Sequence, residues 1–310
     1  VTGCAGFVGS HSTEALLAAG HLVRGIDAFT SYYDPAIKRT NLSEALSHPG
    51  FELVEADLAT IDCDGLLDGV DAVLHLAGQP GVRSSWEDGF EDHVRCNITA
   101  TQRLLEAARR QSTQRFVAAS SSSIYGDADS FPTSESVTPL PVSPYGVTKL
   151  AAEHMVTLYG TNFGLSTVSL RYFTVYGPRQ RPDMAIQRMI RSSLGGPAFP
   201  LFGDGSASRS FTFIGDVVRA NLAALEADVA PGTAVNLSGD EIVSVTELLE
   251  LVGTLTGVDV PVDRFPSQPG DARHTGGATE RAAELLGWTS STPLADGISE
   301  QIRWNRATTG

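Results

Sequence analysis

Tyr145 and Lys149 stand four residues apart in Ser143-Pro-Tyr-Gly-Val-Thr-Lys149. Pro144 suits the first turn of a helix, so the phenol and the ammonium share one helical face. Tyrosine, with a reference pKa of ~10, is a poor base at neutral pH. An ammonium one turn away favours the phenolate and lowers that value. The pair therefore reads as a proton-transfer site. Alone, this spacing is commonly surface decoration. Two further stretches accompany it. Phe116-Val-Ala-Ala-Ser120-Ser-Ser-Ser-Ile-Tyr125-Gly126 is a buried-strand pattern ending in hydroxyls, and Thr2-Gly3-Cys4-Ala5-Gly6-Phe7-Val8-Gly9 spaces three glycines evenly.

The elements that position these residues follow from the apolar pattern. Val1-Thr2 forms the end of a first strand, and Gly3, Gly6 and Gly9 let the backbone turn tightly and approach a pyrophosphate. That group sits at the N-terminus of a helix from about Ser10 to Ala19. By itself the loop is equally consistent with an ordinary glycine turn. His21-Leu-Val-Arg-Gly-Ile-Asp27 is a second strand ending in a carboxylate, 27 − 9 = 18 residues past Gly9. That is close to the ~20 at which an acid meets the adenosine ribose hydroxyls. Asp27 repels a 2′-phosphate, which favours NAD over NADP.

Strands follow at Phe51–Leu58 and Asp71–Gly78, then around 116–120 and at Ser166–Tyr172. Small Ala77 and Gly78 let backbone lie against a ligand. His75, inside an apolar run, reads as a satisfied core histidine. Arg83, in the loop Gln79-Pro-Gly-Val-Arg-Ser-Ser-Trp86, either reaches a ligand or caps the next helix. A long amphipathic helix is predicted over Glu91–Arg110, with Val94, Ile98, Leu104, Leu105 and Ala108 towards the core. These β-α-β alternations predict an α/β fold with a doubly wound, mostly parallel sheet.

After Tyr172 the texture changes to loops rich in Gly, Pro and Arg. Helical patterns recur at Val245–Thr256, Glu280–Leu286 and Ile298–Trp304. The division expected is a nucleotide-binding domain over 1–175 with a returning segment near 211–238, and a smaller α/β substrate domain over 176–310.

The composition of the 310 residues, 42% hydrophobic and 19% charged, is that of a globular protein, and the net charge is −14. Such a chain repels nucleic acid and anionic membrane overall, so anion binding must come from local clusters. Arg179, Arg181, Arg188 and Arg191 form one such cluster. No apolar run approaches the ~18 residues of a membrane span, and no signal peptide is visible. Cys4, Cys63 and Cys96 read as free thiols of a reducing, cytoplasmic compartment. No metal-ligand spacing is present.

Together the three stretches resemble the extended short-chain dehydrogenase/reductase superfamily, in its nucleotide-sugar epimerase branch, over nearly the whole chain. Gly-x-x-Gly-x-x-Gly is the spacing of that superfamily. The resemblance implies NAD held by Gly3, Gly6, Phe7, Val8, Gly9, Asp27, Asp57, Leu58, Ala77, Tyr145, Lys149 and Tyr172. Asp57 is expected to bond adenine and Lys149 the nicotinamide ribose. Ala28–Arg39 looks like the matching stretch of UDP-glucuronate 4-epimerases, where the lysine, here Lys38, contacts the adenosine side.

The same resemblance assigns Tyr145 as the base, aided by Lys149, and makes Ser121 the catalytic hydroxyl. Dehydratases of this branch carry Asp and Glu after that hydroxyl, and decarboxylases carry Glu second; here the positions are Ser122 and Ser123. With Arg83, Thr174, Arg181, Arg209 and Asp271, these serines are the implied substrate contacts. Thr174, in Tyr172-Phe-Thr-Val, and Arg181 look like the glucuronate branch, while Ser210 departs from the Asp of many relatives. The implied activity is NAD-dependent 4-epimerisation of a UDP-sugar, UDP-glucuronate to UDP-galacturonate, by a homodimer. UDP-glucose epimerisation, decarboxylation, an atypical dehydratase and a non-catalytic nucleotide sensor stay open.

Overall fold

The computed structural model describes residues 1–128, 130–267 and 272–309. Its frame is a parallel sheet. Strand β1 (Val23–Asp27) pairs with β2 (Phe51–Glu55), and β3 (Ala72–His75), β4 (Arg115–Ser121), β5 (Thr167–Tyr172) and β9 (Thr233–Leu237) form a second parallel run. Thr2 bridges Ile26 on one side and His75 on the other. The first residues are thus the strand that unites the two runs, as expected.

The near-continuous apolar reading of β4 reflects burial on both faces. Val117 packs with Leu16, Leu17, Ala220 and Ala224 of helices Phe7–Ala18 and Ile214–Glu226. Phe116 and Ala118 pack with Leu104, Leu105, Val156 and Tyr159 of helices Ala100–Arg110 and Pro144–Phe163. His75 is 4% exposed, with its ring nitrogens on Thr2 Oγ1 (2.8 Å) and Thr101 Oγ1 (3.0 Å). It is the satisfied core histidine the pattern predicts.

Between Tyr172 and Thr174 the chain changes sheets. Phe173 alone separates β5 from β6 (Thr174–Tyr176), which pairs with β8 (Ser208–Phe213). Strands β10 (Ile242–Ser244) and β12 (His274–Thr275) complete that mixed sheet, and β7 (Phe199–Phe202) pairs with β11 (Val262–Phe265). Tyr176, Ile186, Met189, Ile190, Leu248 and Ile298 fill this second core. After β8, helix Ile214–Glu226 leads back to β9 in the large sheet. Trp288, beyond helix Glu280–Leu286, also packs there, donating to the Asp216 carbonyl at 2.8 Å.

One expected helix differs. The stretch 89–110 is α-helical over Gly89–His93, a π-turn over Val94–Thr99, then α-helical over Ala100–Arg110. The wider turn shifts the inward face by one position. His93 and Asn97 are therefore buried, at 1% and 2% exposure, whereas Val94 and Ile98 stay only partly covered. Leu104, Leu105 and Ala108 beyond the turn are fully buried as predicted.

Candidate active site

Two cavities lie at the carboxyl ends of the parallel strands, where ligands of open α/β sheets bind. The larger holds about 1020 Å³ with its open mouth included, and is lined by Gly3, Gly6, Phe7, Val8, Gly9, Asp27, Lys38, Asp57, Leu58, Ala77 and Arg181 among others. Gly6 caps the helix Phe7–Ala18. Gly3 has φ +66°, and a Cβ there would lie 2.9 Å from the Ala77 backbone; a Cβ on Gly9 would overlap the Gly3 carbonyl. Only glycine permits this loop, and what it opens is a helix N-terminus facing the cleft.

Asp27 is 8% exposed, and its carboxylate accepts from the amides of Ala5 (3.2 Å) and Phe29 (2.8 Å). Lys38 is 7% exposed, with Nζ 3.7 Å from Asp27 Oδ1 and donating to Thr30 Oγ1 at 3.2 Å. Asp57 accepts from Ala59 N at 2.8 Å and is ion-paired with Arg95. Arg95 sits on the π-turn, 38 residues away, so no spacing in the sequence announces the pair. Asn97, on the same turn, exchanges hydrogen bonds with Gln79 N (2.8 Å) and Gln79 O (3.1 Å) and donates to Thr148 Oγ1 (3.0 Å). It ties the loop after β3 to the helix that carries the tyrosine.

Ser143 caps that helix, accepting from Gly146 N at 3.1 Å, with Pro144 in the first turn. Tyr145, Ser121 and Arg181 converge from three elements. Burial pushes the Tyr145 phenol up, while the hydrogen bond with Ser121 and the charge of Arg181 pull it down; burial wins. The Lys149 ammonium is turned to the Ala119 carbonyl, at 2.6 Å. Burial lowers Lys149 to about 8, offset in part by the nearby negative charge of Glu153. The arrangement holds a phenol and two cations where a hydroxyl can lose its proton.

The second cavity, about 600 Å³, is lined by Ser122, Ser123, Thr174 and Arg209 with Val82, Gly126, Val142, Ser143, Ala272 and Thr275. Ser121 heads this turn, its Oγ accepting from Ser123 N at 3.2 Å. Arg209 is braced by the carbonyls of Ser208, Arg273 and Ala272. Arg181 is held on Asp183 by Nε and Nη2, both at 3.0 Å, and Tyr32 donates to the same carboxylate at 3.3 Å.

Five expected contacts line neither cavity: Ser121, Tyr145 and Lys149, which meet at the end of β4, and two that lie elsewhere. Tyr172 lines neither cavity: its hydroxyl donates to Asn221 Oδ1 at 2.6 Å, because strand alternation sends it to the face covered by helix Ile214–Glu226. Arg83 also lines neither; its guanidinium lies 4.0 Å over the Phe202 ring. Asp271 falls outside the described residues. Among the described residues no cluster of His, Cys, Asp or Glu could hold a metal, and no helix is long and apolar enough to cross a membrane.

Comparison with known proteins finds the NAD dependent epimerase/dehydratase family over residues 1–238. A Bacillus subtilis protein described as an uncharacterized UDP-glucose epimerase is 42% identical, covering 98% of this chain and 96% of its own. A UDP-glucuronate 4-epimerase of Thermodesulfobacterium geofontis is 33% identical over 99% of this chain and 95% of its own. The solved structure of a Bacillus cereus UDP-glucuronic acid 4-epimerase, in complex with UDP-glucuronic acid and NAD, superposes with a TM-score of 0.96 at 38% identity, covering 99% and 98% of the two chains.

Proposed function

The chain belongs to the NAD dependent epimerase/dehydratase family, and from that premise we propose that it is a UDP-sugar 4-epimerase whose substrate pair is UDP-glucuronate and UDP-galacturonate. The glycine loop is a cradle that a Cβ would fill, and with the amide-held Asp27 carboxylate it fits a dinucleotide whose adenosine ribose carries free hydroxyls. Gly3, Gly6 and Gly9 would hold the pyrophosphate, Asp27 the ribose, Lys38, Asp57 and Leu58 the adenosine end, and Ala77, Tyr145 and Lys149 the nicotinamide end. NAD held there would supply the hydride acceptor and donor for C4 of the sugar.

The protein's own part is proton handling and orientation. Tyr145 takes the proton of the 4-hydroxyl as the C–H bond breaks and gives it back after the 4-keto sugar has turned over. Ser121 bonds the same oxygen and passes the proton. Arg181, already acting on Tyr145 through its charge, supports the phenolate while the base is unprotonated.

The choice of sugar rests on the second cavity. Ser122, Ser123 and Thr174 supply three hydroxyls beside Arg209, and no carboxylic acid is among its described lining residues. Elimination of water lacks its acid–base pair there. Hydroxyl donors to a sugar carboxylate, worth about 1.5–3 kcal/mol each for a charged acceptor, hold the C5–carboxylate bond away from the carbonyl π system. The 4-keto acid then keeps its CO₂. One observation favours UDP-glucose as a second reading: Asp183 already occupies the Nε–Nη2 edge of Arg181. Comparing kcat/KM for the two UDP-sugars tests the choice. A preference for UDP-glucuronate is expected, and a preference for UDP-glucose overturns it.

Two copies are proposed to pair through the helices on the Tyr145 side of the sheet. Val147 and Leu158, eleven residues apart on one outward face of helix Pro144–Phe163, are 49% and 52% exposed. Light scattering that gives the mass of a monomer would end that proposal.

A further inference from the structure

Glu153 is a buried carboxylate that lines neither cavity. It lies one turn beyond Lys149, which itself lies one turn beyond Tyr145, so the three share one face of helix Pro144–Phe163. The end of β4 is stitched to this face residue by residue. The Ala119 carbonyl accepts from Lys149 at 2.6 Å, Ser120 Oγ donates to Glu153 Oε2 at 2.6 Å, and Ser121 meets Tyr145.

On the neighbouring strand Arg171 stands opposite Ser120. It completes the tie with Nε on both Glu153 oxygens (3.2 and 3.0 Å) and Nη2 on Oε1 at 2.6 Å. Ser120, Glu153 and Arg171 are 5%, 6% and 7% exposed. A buried ion pair is costly to keep and gains little stability over apolar packing, so its place directly behind the reacting groups asks for a functional reason.

We propose that Glu153 is a positioning residue for the Tyr145–Lys149 pair: its carboxylate fixes Ser120 and thereby Ser121 against the helix, and serves as the counter-charge of the buried Lys149 ammonium. The proposal rests on the reading of Tyr145 and Lys149 as the catalytic pair. The titratable and charged groups around Lys149 are Tyr145 and Glu153 on its own helix, His75 on β3, Arg181 at the cleft, and Arg171 with Tyr125 behind Glu153. His75 is buried, and Lys149 contributes to holding it unprotonated, pushed down to about 3. Glu153 is thus the anion that opposes the desolvation of Lys149.

The sequence makes the test direct, because Lys38 and Lys149 are the chain's two lysines. Lysine-selective ¹³Cε labelling of the NAD-loaded protein gives two NMR signals, separated by a K38R control. Lys149 is expected to titrate near pH 8 in the native chain. E153Q moves that titration down by about one unit, the low end of the effect of a nearby opposite charge. The alkaline limb of kcat moves with it while KM for the UDP-sugar changes little.

E153Q leaves Arg171 buried and unpaired, so E153M/R171M serves as the folded counterpart and moves the titration in the same direction. A Lys149 titration unchanged in either folded variant overturns the proposal. The NMR reading is independent of turnover, so a protein inactive on every UDP-sugar would contradict the assigned function without deciding the role of Glu153.

Discussion

The cofactor end and the sugar end of the site are built by different means. At the cofactor end the geometry is made by backbone. Gly3 holds a left-handed φ against Ala77, Gly9 leaves room for the Gly3 carbonyl, and two amides grip Asp27. Every one of these interactions is set within a few residues or one strand crossing. At the sugar end the same job is done by side chains from separate elements. Ser122 and Ser123 follow β4, Thr174 begins β6 and Arg209 lies on β8. A backbone site tolerates little change and recognises a constant ligand. A side-chain site can be re-specified one residue at a time, as one fold serving several sugars requires.

This contrast orders the expected effects of mutation. The largest falls where the two ends meet. Tyr145→Phe removes one hydroxyl, and kcat drops 10²–10⁴-fold, the usual loss for a general base, with NAD content and melting temperature unchanged. More than a few per cent residual kcat contradicts the assignment. Next comes the backbone end. Gly9→Ala forces a Cβ into the Gly3 carbonyl, and overpacking costs about 1–3 kcal/mol. The measurable outcome is loss of bound NAD with a lowered melting temperature, and an unaltered NAD content argues against the cradle.

At the sugar end the effects are smaller and selective. Thr174→Val is expected to raise KM for UDP-glucuronate about tenfold or more, the equivalent of one charged hydrogen bond, and to raise KM for UDP-glucose far less. Equal effects on both sugars remove Thr174 from carboxylate recognition. The smallest effect is at Asp27. Asp27→Ala deletes a ribose acceptor and the repulsion of a 2′-phosphate, so the preference for NAD over NADP relaxes in a binding titration. Native protein that already binds both equally contradicts the reading of Asp27.

Legibility in the sequence follows the same divide. Strand positions, the glycine loop, the Asp27 carboxylate and the capped helix carrying Tyr145 are all local patterns, and each is visible in the amino-acid order. The π-turn at Val94–Thr99 is not. An extra residue in a turn leaves the apolar period nearly intact, and here it hides that His93 and Asn97, rather than Val94 and Ile98, face inward, and that Asn97 and Arg95 serve the site. Tyr172 shows the converse: a residue at the end of a functional strand is one register from the site yet faces the other way. Arg83 and Asp183 depend on contacts with Phe202 and Tyr32, more than a hundred residues away. Glu153 had a local signal, the third member of an i, i+4, i+8 series with Tyr145 and Lys149, but its partners Ser120 and Arg171 come together only in the folded sheet.

The central claim is that oxidation at C4 of an acidic sugar proceeds here without loss of its carboxylate. NMR analysis of the products formed from UDP-glucuronate, with UDP-glucose in a parallel incubation, tests it most directly. The account predicts UDP-galacturonate at equilibrium with substrate and little UDP-pentose. Dominant UDP-pentose, or turnover of the neutral sugar alone, contradicts it.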